Sequence, residues 1–177
     1  MKLVVLDRDG VINFDSVHFI KSTNEWIPIP GSLEAIALLN QSGYRVAIAT
    51  NQSGISRGLF DMVTLNAIHD KMHRALGQLG GRIDAMFYCP HSAEDNCSCR
   101  KPKPGMMEEI GKRFGQDLKG VPIVGDALRD LQAGAVLGMQ PILVRTGKGE
   151  ETLAAGGLPE GTLVFANLAE AVQHIIS

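Results

Sequence analysis

No stretch of this 177-residue sequence is apolar for long enough to cross a bilayer, and no run of lysine or arginine supplies a local positive field. The first lack excludes a membrane span. The second, with a formal net charge of only -2, makes nucleic acid a poor partner. Room for a signal peptide is lacking too, because a strand-like apolar run begins at Leu3; the chain is expected in the cytoplasm. Repeats, low-complexity tracts and linkers are missing, so a single domain spanning 1–177 is expected. That length suffices to bury a core, and with 45% hydrophobic and 20% charged residues nothing suggests disorder. Cysteine is scarce: three residues, all between 89 and 99.

What is present begins with Leu3-Val4-Val5-Leu6-Asp7-Arg8-Asp9-Gly10. So short an apolar run reads as a buried parallel strand, and ligand sites of open α/β sheets lie just beyond the carboxyl ends of such strands. Asp7 and Asp9 are two residues apart on an extended chain, so both carboxylates can face one ligand, with Gly10 allowing a sharp turn. Converging carboxylates call for a cation, and Mg2+ takes oxygen ligands of this kind. A solvated acidic turn is the competing reading.

Strands and helices then alternate. Leu33, Ile36, Ala37 and Leu39 have helical spacing ending at Gly43, followed by a strand over 45–50. Asp61 can cap a helix carrying Leu65, Ile68, Met72, Leu76 and Leu79. A strand over 85–88, a helix over 106–114, a strand over 121–124 and a helix over 128–137 come next. Strands over 141–144 and 163–165 and a helix over 168–176 end the pattern. This alternation predicts an α/β, three-layer Rossmann-like, doubly wound parallel sheet. About twenty residues separate Asp9 from the first helix, too few for a large cap domain, so the site is expected to be open.

Two more strands end in candidate chemistry. Thr50-Asn51-Gln52-Ser53-Gly54 offers a hydroxyl and turn amides that can cradle phosphate. Gly125-Asp126 places a further carboxylate at a strand end, with Asp130 one helical turn on. Between them, Arg100-Lys101-Pro102 is a stiff basic segment: Lys101 can neutralise a phosphoryl oxygen and Arg100 can grip a second anion in bidentate fashion. Each motif alone has a bland reading as a turn, a helix cap or a solvated loop.

The cysteines form Cys89-x-His91-x5-Cys97-x-Cys99. Three thiolates and an imidazole make a complete tetrahedral set with no open position, hence a structural zinc loop over 89–99; three cysteines in a reducing compartment cannot all pair as disulfides. Zinc would hold Arg100 and Lys101 in place. His69 and His73, one turn apart, are expected on a solvated helix face, and His174 at the surface. Phe14, Phe19 and Trp26 can serve as packing anchors.

In their order, Asp7-x-Asp9-Gly10, Thr50-Asn51, Lys101-Pro102 and Gly125-Asp126-x-x-x-Asp130 resemble the motifs of the haloacid dehalogenase superfamily of phosphohydrolases. More narrowly, Asp7-Arg8-Asp9-Gly10-Val11-Ile12-Asn13, Asn51-Gln52-Ser53-Gly54-Ile55, Cys99-Arg100-Lys101 and Val144-Arg145-Thr146-Gly147-Lys148 resemble its heptose bisphosphate phosphatase family, which serves synthesis of lipopolysaccharide or related glycans. Ala127 departs from that pattern, standing where some members have a lysine near the substrate. The resemblance implies Asp7 as nucleophile and Asp9 as general acid and base. It implies phosphoryl contacts from Thr50 and Lys101, and substrate contacts from Asp15, Ser16, Val17, His18, Asn51, Gln52, Ser53 and Arg100. It also implies Mg2+ on Asp7, Asp9 through its carbonyl, and Asp126, supported by Asp130, and it strengthens the zinc reading. A phosphorylated sugar is the expected partner and a monomer the expected state. Histidinol phosphate or another small phosphomonoester is the alternative substrate; a phosphosugar-binding protein without turnover is a third reading, and a nucleic-acid 3′-phosphatase would want a basic groove.

Overall fold

The computed structural model describes residues 2–177. Strands β1 (Leu3–Leu6), β2 (Arg45–Asn51), β3 (Ala85–Cys89), β4 (Pro122–Gly125), β5 (Gln140–Val144) and β6 (Leu163–Phe165) form one sheet in the order β3-β2-β1-β4-β5-β6, with every pairing parallel. All four β1 residues are buried, because β2 and β4 flank the strand and helices cover both faces.

Side chains alternate between the two faces. Val4, Leu6, Val46, Ile48, Val124 and Ile142 pack with α1 (Ser32–Gln41), α2 (Met62–Gly77) and α6 (Leu168–Ile176). Leu3, Val5, Ala47, Ala49 and Ile123 pack with α3 (Gly105–Phe114) and α4 (Leu128–Ala135). These are the three layers expected. In α2 the Asp61 carboxylate accepts from the Thr64 N–H at 2.9 Å, a cap typically worth about 1 kcal/mol. Leu65, Ile68, Met72 and Leu76 are buried at three- and four-residue spacing, each contributing roughly 1.5–3 kcal/mol, whereas Leu79 lies past the helix end and is exposed.

Two features depart from the sequence reading. His69 is buried, not solvated; only His73 of the pair is exposed, because the Arg8 side chain runs beneath α2 and meets His69. A helix α5 (Gly149–Ala155) follows β5, where the sequence shows no apolar period; its Thr152 hydroxyl donates to the Asp126 carbonyl at 2.7 Å. Of the aromatic residues before α1, Trp26 is buried, Phe14 is half exposed and Phe19 stands beside Arg57. Between Asp9 and α1 the chain carries only the short turn Thr23–Glu25 and isolated bridges, with no inserted cap.

Sequential connections leave β1 toward β2 and β3 on one side and resume at β4 through β6 on the other. The crevice of such a sheet opens where the order reverses, between the carboxyl ends of β1 and β4.

Candidate active site

Asp7 and Asp126 sit at that crevice. The Asp7 N–H donates to the Val124 carbonyl at 2.9 Å, extending the β1–β4 ladder by one residue and fixing the direction of its side chain. Asp130, in the first turn of α4, accepts from the Ala127 N–H at 3.1 Å through Oδ2. Oxygens of Asp7, Asp126 and Asp130 lie within 4.8 Å of one another, and all three residues are buried. They are therefore not a solvated acidic turn.

Lys101 reaches into this cluster. Its Nζ lies 2.7 Å from Asp130 Oδ1 and 3.1 Å from Asp7 Oδ1, and donates to the Ala49 carbonyl at 2.7 Å. Burial favours the uncharged amine, but Asp130 and Asp7 prevail and raise its pKa. One ammonium does not balance three carboxylates. Burial, then repulsion from Asp130, pushes the Asp7 pKa well above the ordinary carboxylate value, and the same two causes raise Asp126 to about 7. A divalent cation with oxygen preference fits this set, since it would supply the charge that Lys101 does not.

The backbone around Asp126 is closely built. Gly10 (φ +85°) and Gly147 (φ +58°) approach its carboxylate so nearly that a Cβ on either would overlap it. The Lys148 N–H donates to Asp126 Oδ2 at 2.9 Å, and the Thr146 hydroxyl donates to the Gly10 carbonyl at 2.6 Å. The late 144–148 segment thus clamps both the turn after β1 and the carboxylate after β4.

Asp9 has a different environment. Its Oδ1 accepts from Arg8 Nε at 2.8 Å and Asn13 Nδ2 at 2.9 Å, and its Oδ2 from Gln52 Nε2 at 3.2 Å. Burial would raise its pKa, but the Arg8 charge and these hydrogen bonds hold it below the usual value. Gln52 also donates to Thr50 Oγ1 at 2.9 Å, tying the β2 end to the acid after β1. The Asn51 amide donates to the Lys101 carbonyl at 3.2 Å and accepts from the Lys101 N–H at 3.1 Å. Gln52 thus registers the Thr50 hydroxyl to Asp9, and Asn51 holds the backbone of Lys101, whose Nζ meets Asp7.

Above them opens a cavity of about 220 Å³. Asp7, Asp9, Thr50, Asn51, Lys101 and Asp126 form part of its wall; Asp15, Ser16, Val17, Ser53 and Arg100 form another part. Among the residues proposed from sequence to touch substrate, Gln52 is buried beneath the wall, and His18 is exposed outside it, its N–H held by the Ser16 hydroxyl at 3.1 Å. Four lining residues were not singled out as contacts: Phe19, Arg57, Arg129 and Lys148. Arg57 lies in the loop following the phosphate-cradle motif, and Arg129 stands between Asp126 and Asp130, with a buried Nε that has no hydrogen-bond partner. A cationic residue beside a carboxylate motif was the available signal.

Cys89, His91, Cys97 and Cys99 come together at the end of β3. Sulfur atoms of Cys97 are 3.6 Å from those of Cys89 and of Cys99, and His91 Nδ1 is 3.6 Å from Cys89 Sγ and 3.4 Å from Cys99 Sγ. Those separations match the edges of a tetrahedron around zinc, about 3.7 Å between sulfurs for Zn–S bonds of about 2.3 Å. They far exceed the roughly 2.05 Å of a disulfide. Burial raises the Cys89 thiol to about 12; at Cys97 burial also acts upward, but the Arg100 N–H and the neighbouring thiols bring it down to about 6. Arg100 Nη1 donates to the His91 carbonyl at 3.3 Å and Lys103 Nζ to the Cys97 carbonyl at 2.7 Å, so the basic segment is fastened to the loop. Metal analysis should find about one zinc per chain, and Cys97→Ser should lose it, lower the Tm and cut kcat/KM at least about tenfold through Lys101. A zinc-free protein, or a Cys97→Ser variant equal to the parent in both respects, would contradict the assignment.

Known proteins resemble this chain in sequence and fold. Residues 98–171 match a family model described as HAD-hydrolase-like. The D-glycero-β-D-manno-heptose-1,7-bisphosphate 7-phosphatase of Bordetella bronchiseptica is 61% identical over 176 residues, covering 99% of this chain and 98% of that protein. Its counterpart in Pseudomonas aeruginosa is 51% identical over 98% of this chain and 97% of its own length. The crystal structure of D,D-heptose 1,7-bisphosphate phosphatase from B. bronchiseptica, complexed with magnesium and phosphate, superposes with a TM-score of 0.98 over 99% of this chain and 98% of that one. With near-complete coverage at these identities, the chain belongs to the D-glycero-β-D-manno-heptose-1,7-bisphosphate 7-phosphatase family of haloacid dehalogenase-like hydrolases.

Proposed function

We propose that this chain, as one catalytic domain, hydrolyses the C7 phosphate of D-glycero-D-manno-heptose 1,7-bisphosphate through a phosphoryl group carried on Asp7. The observation that carries this reading is the cavity itself: a buried carboxylate–lysine cluster at its floor and further cationic side chains, Arg57, Arg100, Arg129 and Lys148, around its wall. Asp7 attacks phosphorus, and Asp9 gives a proton to the departing sugar oxygen. Asp9 then takes a proton from the water that releases phosphate. Phosphate dianion beside Asp9 raises its otherwise lowered pKa, which favours the protonated form needed first. Thr50 and Lys101 hold the transferring oxygens. Asp7, Asp126 and the Asp9 carbonyl would hold Mg2+, with Asp130 in support; the ion would offset phosphoryl charge.

The partner is a phosphorylated sugar. Nothing in the composition provides a nucleic-acid surface, and among the described residues no helix is long and apolar enough to cross a membrane; the reading places the protein in the cytoplasm as a monomer. In the second reading, histidinol phosphate as substrate, Arg57, Arg100 and Arg129 would have no second substrate phosphate to meet, while Lys148 already lies 3.7 Å from the Asp15 carboxylate.

Arg100 tests the bisphosphate reading. Arg100→Ala should lower kcat/KM for the heptose bisphosphate by about ten- to a hundredfold, the size of one lost charge-assisted contact, and change a simple monophosphate little. Equal losses on both would place Arg100 at the reaction centre or in loop support instead.

Magnesium should reveal the strained carboxylates through stability. Because the Asp7 and Asp126 pKa values are raised by folding, the folded state binds more protons than the unfolded one above the unfolded value, and metal-free stability falls as pH rises above about 4, the Asp126 contribution being lost as pH passes about 7. Saturating Mg2+ should therefore raise the Tm more at about pH 8 than at about pH 5.5. Equal shifts at the two pH values would show that these groups do not bind the ion.

A further inference from the structure

We propose that His69 of α2, acting through the buried guanidinium of Arg8, positions the Asp9 carboxylate for proton transfer, making both His69 and Arg8 positioning residues for the reaction. The inference rests on Asp9 as acid and base. Arg8 stands between the two aspartates of the first motif, yet its side chain is fully buried and points away from the cavity, toward the underside of α2. It has two directed side-chain contacts: Nε donates to Asp9 Oδ1 at 2.8 Å, and Nη1 lies 3.0 Å from His69 Nε2.

A guanidinium has donors only, so His69 Nε2 must be the acceptor and the ring must be neutral, with its proton on Nδ1. The surroundings agree: burial first, then the Arg8 charge, pushes the His69 pKa down to about 3. Arg8 Nη2 is buried without a hydrogen-bond partner, so no contact at that nitrogen can replace a lost one at Nη1.

The arrangement divides the labour of the two Asp9 oxygens. Oδ1 is occupied by Arg8 Nε and Asn13 Nδ2, whereas Oδ2 has one longer contact, 3.2 Å from Gln52 Nε2. Fixing Oδ1 leaves Oδ2 as the oxygen to exchange a proton at the cavity, where Asp9 forms part of the wall. His69 fixes the guanidinium that does the fixing. A misplacement of the order of 1 Å at a reacting group can reduce rate about a hundredfold, so a helix that touches no substrate can still set the rate of protonation.

The test compares a substrate whose leaving oxygen needs a proton with one whose leaving oxygen does not. Heptose 1,7-bisphosphate expels an alkoxide; 4-nitrophenyl phosphate expels a stable phenolate. Since kcat/KM covers events only through the first irreversible step, the ratio of the two values isolates protonation, and partial unfolding cancels from it. His69→Leu should depress the heptose-to-nitrophenyl ratio by about ten- to a hundredfold. His69→Gln, whose amide oxygen can take the place of Nε2, should keep the ratio within about threefold of the parent. His69→Asn, too short to reach Arg8, should behave as Leu does and supplies the comparison if the Leu variant fails to fold. An unchanged ratio in His69→Leu or His69→Asn, or a loss in His69→Gln as large as theirs, overturns the proposal. Asp9→Asn is the control: if it too leaves the ratio unchanged, the acid role of Asp9 has failed; if it depresses the ratio while the His69 variants do not, only the positioning role has.

Discussion

Asp7→Asn should give a folded protein whose turnover is lower by far more than about a hundredfold, the low end of what loss of a general acid or base alone costs. An amide cannot serve as the attacking oxyanion, and the other cavity carboxylates are committed elsewhere: Asp9 Oδ1 accepts from Arg8 and Asn13, Asp126 is held by the Lys148 N–H, and Asp15 lies beside Lys148 Nζ. The substitution should also raise the metal-free Tm near pH 8. Burial and Asp130 make the Asp7 charge costly, and Lys101 keeps Asp130 Oδ1 and the Ala49 carbonyl as partners after Asp7 is neutralised. More activity and less stability go together at this position. A variant retaining more than about one hundredth of the parent kcat would remove Asp7 from the covalent role.

Lys101→Met should damage both stability and catalysis. The side chain is 2% exposed and is the cation lying within the carboxylate cluster, so its removal leaves buried charges uncompensated, a loss of about 3–5 kcal/mol in comparable cases. For a domain of this size that corresponds to a fall in Tm of roughly 10 °C. Turnover should fall by about 10²–10³, as for other fixed groups facing developing charge, and by the same factor for bisphosphate and monophosphate substrates. Mg2+ should restore part of the Tm without restoring kcat, because the ion answers the carboxylates and not the transferring oxygen that Lys101 would meet. Near-parental kcat in the folded variant would contradict the role.

The sheet was legible because its strands are short apolar runs ended by chemistry. Val4, Val5 and Leu6 are buried between parallel neighbours, and the next residue, Asp7, is where the sheet opens. Helix α2 was legible from the spacing of Ile68, Met72 and Leu76. The Cys/His cluster was legible because three thiols and an imidazole within eleven positions have few other uses. Helix α5 was not, since much of its anchorage is a tertiary bond from Thr152 to Asp126 and no periodic apolar face announces it. His69 was misplaced for a related reason. A histidine at a polar-looking helix position reads as solvated unless one knows that Arg8, sixty-one residues earlier, arrives beneath it. Gln52 and Asn51 likewise use their amides on Asp9, Thr50 and Lys101, partners that sequence order does not bring together. Local pattern located the side chains that gather at the cavity; the groups that hold them were set by contacts distant in sequence.

The activity is tested most directly by following D-glycero-β-D-manno-heptose 1,7-bisphosphate by 31P NMR with the purified enzyme and Mg2+, alongside kcat/KM for histidinol phosphate. The account predicts that the C7 phosphate resonance is replaced by inorganic phosphate while the anomeric phosphate remains, with kcat/KM well above that for histidinol phosphate. Loss of the anomeric phosphate first, or a higher kcat/KM for histidinol phosphate, would contradict it.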